Sequence, residues 1–226
     1  MKVGYKKLGL VFGAVVALAL LPARADAQIV SYSPVFWSIE GGAGIAIPMG
    51  DLADVSSSGV AFTLAGSYFL NPRLALRAEG GLDLMGEGDA APTDPDLQIW
   101  HFLGGIEYHI TDPTNQLMFA IDVMAGGATL DSEFLTVQDF PEVGGSTMGS
   151  FSQTVFAAGA GVKLGYSFAR HAETGVPIAT IYINGDFHYM LTDEEDTELF
   201  AAFNGVSPFG ATYSIPVTAG LRLNIP

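Results

Sequence analysis

The chain has 226 residues, enough for one domain with or without a targeting segment, and carries a formal charge of −15 at pH 7. Cysteine is absent, which excludes disulfides, thiol chemistry and Cys-based zinc sites, and the acidic balance argues against a nucleic-acid partner. Hydrophobic residues make up 49% of the chain, yet after the leader no run reaches 18 consecutive apolar residues, so no transmembrane helix is expected.

Residues 1–27 read as a secretory signal. Lys2, Lys6 and Lys7 form a charged start, residues 8–21 an apolar stretch, and Ala25-Asp26-Ala27 an A-x-A cleavage site before Gln28. The apolar stretch is short for a span that needs about 20 residues, so cleavage is expected and residues 28–226 form the mature domain. Eight stretches then alternate apolar and polar residues, at 35–48, 59–70, 73–84, 97–110, 117–130, 152–168, 177–191 and 212–225. Period-two alternation belongs to strands, whose side chains point to opposite faces. Short connections at 71–72, 111–116 and 169–176 alternate with longer ones at 49–58, 85–96, 131–151 and 192–211. An up-and-down meander makes that pattern when its two ends face different compartments.

Residues 73–84 show the two faces. Leu74, Leu76, Ala78, Gly80, Leu82 and Leu84 share one parity, and Arg73, Ala75, Arg77, Glu79, Gly81 and Asp83 the other. Across all eight stretches the apolar parity carries no charge. The opposite parity holds Glu40, Arg77, Glu79, Asp83, His101, Glu107, His109, Asp122, Lys163, Asp186, His188 and Arg222. A lipid-facing Arg or Lys costs about 2–4 kcal/mol at the bilayer midplane, so the uncharged parity is expected to meet hydrocarbon and the ionic parity to be enclosed. A soluble lipocalin-like barrel would reverse that assignment. Counting from the short-turn end, Trp37, Tyr68, Tyr108, Phe119, Tyr166 and Phe168 sit low, and Trp100, Phe102, Phe156, Phe187, Tyr189 and Tyr213 sit high. Two aromatic belts match two membrane–water interfaces. Glycines inside the strands, among them Gly80-Gly81, Gly104-Gly105 and Gly126-Gly127, suit the sharp coiling of a small barrel.

With these features the mature chain resembles the small eight-stranded outer-membrane barrels, the OmpA transmembrane-domain and OmpX-like group. The resemblance implies an all-β, eight-stranded, antiparallel up-and-down transmembrane β-barrel in the bacterial outer membrane, surrounded by lipid and lipopolysaccharide. Such barrels usually finish on an aromatic residue, whereas this chain finishes Leu221-Arg-Leu-Asn-Ile-Pro226. No peptidoglycan-binding domain is expected after the eighth strand.

Three constellations are candidates for chemistry. The first is an interior charge network of Glu40, Arg77, Glu79, Glu107, Asp122, Lys163, Asp186 and Arg222. An eight-stranded barrel is filled by its own side chains, and enclosed charges need partners. Strand heights place Glu40 near Arg222, Arg77 near Glu107 and Glu79, and Asp122 level with Lys163. The second is the loop charge: the four long connections hold fifteen Asp and Glu and no Lys or Arg. Such a rim gathers cations, and Asp193, Glu194, Glu195 and Asp196 are candidates for weak divalent-cation binding, although a solvated acidic rim explains them as well. The third is the histidines. His101, His109 and His188 share the inward parity, but His101 and His109 are about 26 Å apart along one strand at roughly 3.3 Å per residue. Asp186 and His188 share a face with no serine beside them in the strand, so lipid-modifying catalysis is not expected.

The expected role is structural or interactive, without cofactor or enzymatic activity. Long loops bearing Phe134, Phe140, Phe200, Phe203 and Phe209 among acids are the candidate surface for extracellular protein partners. A narrow channel for small solutes or ions is the alternative.

Overall fold

The alternating stretches form eight strands: β1 Trp37–Gly50, β2 Ser56–Asn71, β3 Leu74–Glu87, β4 Asp96–His109, β5 Leu117–Phe134, β6 Gly149–Arg170, β7 Pro177–Leu191 and β8 Thr212–Ile225. A short helix, α1, spans Leu52–Val55 between β1 and β2. The computed structural model describes residues 37–50, 52–87, 96–112, 115–134, 149–172, 175–192 and 212–225. The signal at 1–27, Val35 and most long-loop residues, including Asp193–Asp196, lie outside them. Each strand pairs antiparallel with its sequence neighbours, and β1 pairs with β8 from Trp37↔Ile225 to Gly50↔Thr212. This closes an all-β, up-and-down barrel, which removes the unpaired edges that an open sheet would leave.

Local chemistry sets the short turns. Asn71 accepts hydrogen bonds through Oδ1 from the backbone N–H groups of Arg73 and Leu74, both at 2.9 Å, so its side chain closes the reversal that Pro72 begins. Between β6 and β7, Gly175 has φ +66°, a conformation that glycine adopts without strain, and its N–H donates to the carbonyl of His171 at 2.9 Å.

Several strands run further at the long-connection end than alternation suggests: β2 begins at Ser56, β3 reaches Glu87, β5 reaches Phe134 and β6 begins at Gly149. Alternation in hydrophobicity stops where lipid contact stops, whereas the backbone ladder continues as long as neighbouring strands pair. At 14 to 22 residues the strands exceed the roughly 9–11 needed to cross the hydrocarbon.

The two faces of the wall are chemically distinct. Outside, Leu64 is 65% exposed, Phe102 68% and Ile183 61%, and this apolar surface continues around all eight strands. Soluble monomers rarely expose so large a continuous apolar surface. Trp37 and Tyr68 are register partners with rings 4.8 Å apart at the short-turn end. Tyr213 stacks near Phe187 and Tyr189 at 5.4 and 5.2 Å towards the other end. Phe102 lies mid-strand, opposite Gly80, whose bare backbone its ring covers.

Inside, the barrel is layered. From the short-turn end the inward residues of β3 run Arg77, Glu79, Gly81, Asp83, Met85; those of β4 run His109, Glu107, Gly105, Leu103, His101, Ile99, Leu97. On β7 the order is Tyr182, Asn184, Asp186, His188, Met190. An ionic layer is therefore followed by a histidine and aspartate layer, then by an apolar cap. The cap includes Leu52 of α1, Met85, Leu97, Ile99, Leu130, Val155 and Met190. The enclosed face therefore carries charge in part of its length and apolar side chains in the rest. The apolar signal was present in the sequence, since Met85, Leu97, Ile99 and Met190 lie on the inward parity.

Candidate functional site

The ionic layer draws on five strands. Glu40 on β1 accepts contacts from Arg77 Nη1 at 2.8 Å, Lys163 Nζ at 2.6 Å and Arg222 Nε at 2.9 Å. Glu107 on β4 receives Lys163 Nζ at 2.8 Å, Arg77 Nη1 at 3.3 Å and Arg222 Nη2. Arg77 Nη2 reaches Glu79 Oε2 at 2.5 Å, and His109 Nε2 lies 2.7 Å from Glu107 Oε1. Three cations thus meet three carboxylates, each side chain almost fully buried. Aromatic rings close the layer: Arg222 lies 5.5 Å from the Phe69 ring and Lys163 5.3 Å from that of Tyr182. Phe69 and Tyr182 were not singled out from sequence, because an aromatic on the inward parity has no special spacing.

Glu40 and Arg222 are direct register partners where β1 meets β8. Lys163, by contrast, pairs with Glu40 and Glu107 rather than with Asp122. Its long stem crosses the lumen, whereas the short side chain of Asp122 stays against the wall. An added Cβ at Gly161, its register partner, would lie 2.8 Å from Asp122 Oδ1.

The next layer is less satisfied. Asp186 accepts from Asn184 Nδ2 through one oxygen. Its other oxygen, both carboxylate oxygens of Asp83 and both of Asp122 have no hydrogen-bond partner among the described residues. Among the buried described residues, six carboxylates face three Lys or Arg. His101 and His188, remote in sequence, come together with ring centroids 4.6 Å apart. Ser214 on β8 is the register partner of His188, so the serine that a single strand lacks is supplied by its neighbour. Its side chain is fully buried on the inner face of the barrel.

No protein-family model matches the chain, and no curated protein matches it. Solved structures do share its fold. Neisserial surface protein A superposes with a TM-score of 0.52 at 15% identity, covering 85% of this chain and 98% of its own. Ail, the attachment invasion locus protein of Yersinia pestis, crystallised with the heparin analogue sucrose octasulfate, gives a TM-score of 0.50 at 15% identity, covering 83% and 97%. A major outer membrane protein from Thermus thermophilus gives 0.53 at 11% identity, covering 84% and 98%. A closed eight-stranded barrel with an apolar, uncharged exterior and charge enclosed is a membrane-spanning barrel. That architecture belongs to the bacterial outer membrane.

Proposed function

Starting from an eight-stranded barrel of the outer-membrane fold, we propose that this chain is a non-catalytic, non-conducting scaffold that holds acidic loops at the cell surface for contact with partners. The observation that carries the reading is the filling of the lumen by the chain's own side chains. An ionic layer braces β1, β3, β4, β6 and β8, and an apolar cap lies above it. A brace of that kind makes a rigid platform and opposes a water-filled path. The loops add the interactive half: their fifteen acids give the rim a field that favours cationic protein surfaces. The same field attracts divalent cations, which bridge carboxylates to the phosphates of lipopolysaccharide. The sulfated ligand crystallised with Ail is a polyanion, which a rim of like charge repels, so a partner of that class is not the one these loops select.

Conductance in planar bilayers tests the platform. The wild type and Lys163→Ala are both expected to show no stepwise current. Steady single-channel steps from the wild type would replace this reading with that of a narrow channel. Hydrolysis or transfer of lipid acyl chains by the purified protein would replace it with an enzyme.

A further inference from the structure

We propose that the lumen binds one zinc-class dication between β3, β4 and β7, ligated by Glu79 Oε1 and the imidazoles of His101 and His188. The ligand atoms of these three residues lie within 4.8 Å of one another, and His101 Nε2 is 3.6 Å from Glu79 Oε1. That separation is too long for a hydrogen bond. Zinc bonds of about 2.0–2.2 Å place tetrahedral ligand atoms about 3.4 Å apart, so modest side-chain rotation brings the set onto an ion. All three side chains are buried, at 4, 2 and 3% exposure. Glu79 Oε1, both ring nitrogens of His101 and Nε2 of His188 have no hydrogen-bond partner among the described residues. A packing role alone would leave four buried polar atoms unsatisfied in one small volume, which folded proteins avoid.

The surrounding sequence makes room for the rings. Gly81 is the register partner of His101, and a Cβ there would run into the imidazole. Gly159 is the partner of His188, where a Cβ would stand 2.9 Å from Cδ2. Each ring therefore lies over a bare stretch of the neighbouring strand. Charge points the same way. Arg77 occupies only Oε2 of Glu79, and Asp83, two inward positions further along β3, has no hydrogen-bond partner among the described residues. Enclosed carboxylates outnumber Lys and Arg, and a dication reduces that imbalance. Two imidazoles with one carboxylate select zinc and its first-row neighbours over calcium or magnesium, which prefer all-oxygen shells. The fourth position is left to water. Bound there, the ion ties β7 across the lumen to β3 and β4, beneath the apolar cap.

The test uses the chain purified from outer membranes in detergent, stripped with chelator and re-equilibrated with zinc chloride, either directly or through an unfolding–refolding cycle. One zinc per chain is expected in the wild type and in His171→Ala, and none in His101→Gln with His188→Gln. Cobalt(II) in place of zinc is expected to give the intense visible bands of a four-coordinate site in the wild type, a readout that does not depend on the variants folding. Less than stoichiometric zinc after both treatments would overturn the site. So would retention by the double variant, which would assign the ion to the acidic loops, or the faint cobalt spectrum of a six-oxygen shell. These outcomes are separate from the conductance result, because a barrel without zinc can still be closed.

Discussion

Lys163 is the residue on which the ionic layer turns. Its Nζ bridges Glu40 and Glu107, carboxylates from two different strands, while Arg77 and Arg222 each contact the same pair from other sides. Breaking a buried ion pair by removing one partner costs about 3–5 kcal/mol, because the remaining charge is left uncompensated. Lys163→Met is therefore expected to destabilise the barrel by about that amount, measured as the shift in urea-induced unfolding in detergent. An unchanged midpoint would show that the layer contributes nothing to stability. The Glu40–Arg222 partnership was legible in the sequence, because barrel closure brings the first and last strands together at matching heights. The Lys163 contacts were not. Strand order gives lateral neighbours, and only the lumen's width decides which long side chains meet across it.

At the level of the strand, glycine separates positions where two backbones come close from positions that merely face lipid. A Cβ on Gly44 would run into the Val217 carbonyl of β8, whereas one on Gly41 meets nothing within 4 Å. Overpacking of this kind typically costs about 1–3 kcal/mol. Gly44→Ala is expected to destabilise by about that much and Gly41→Ala by less than about 0.5 kcal/mol, with urea unfolding as the measurement; equal effects would mean that the β1–β8 seam is not as close as described. Alternation revealed where each strand crosses the bilayer but not where pairing ends. The outer extensions of β3 and β5 reach Glu87 and Phe134, where the side-chain pattern has faded. Helix α1 carries no periodic signal at four residues, and its Leu52 is held by the cap it packs into.

The barrel as a whole is defined by what each face meets. Leu64 and Ile183 lie among the most exposed of the outward side chains, within strands long enough to span the hydrocarbon. Leu64→Arg is expected to cost about 2–4 kcal/mol of stability in phospholipid vesicles, whereas Trp37→Arg, at the interface belt, costs about 0–1 kcal/mol. Equal costs at the two sites would contradict the placement of the bilayer around the wall. Inside, the ionic brace, the histidine pair and the apolar cap succeed one another along the axis, so the lumen is three environments rather than one.

Periodicity, the alternation of short and long connections and the absence of charge from one parity determined the eight strands, their antiparallel order and which face of each meets lipid. Those properties follow from local rules: side chains alternate across a strand, and hydrocarbon tolerates no charge. Tertiary structure decided everything that depends on distance across the lumen: the partners of Lys163, the meeting of His101 with His188 and Glu79, and the stacking of apolar side chains above them. Closure and stagger set those distances. They are properties of the whole ring of strands, and no single strand encodes them.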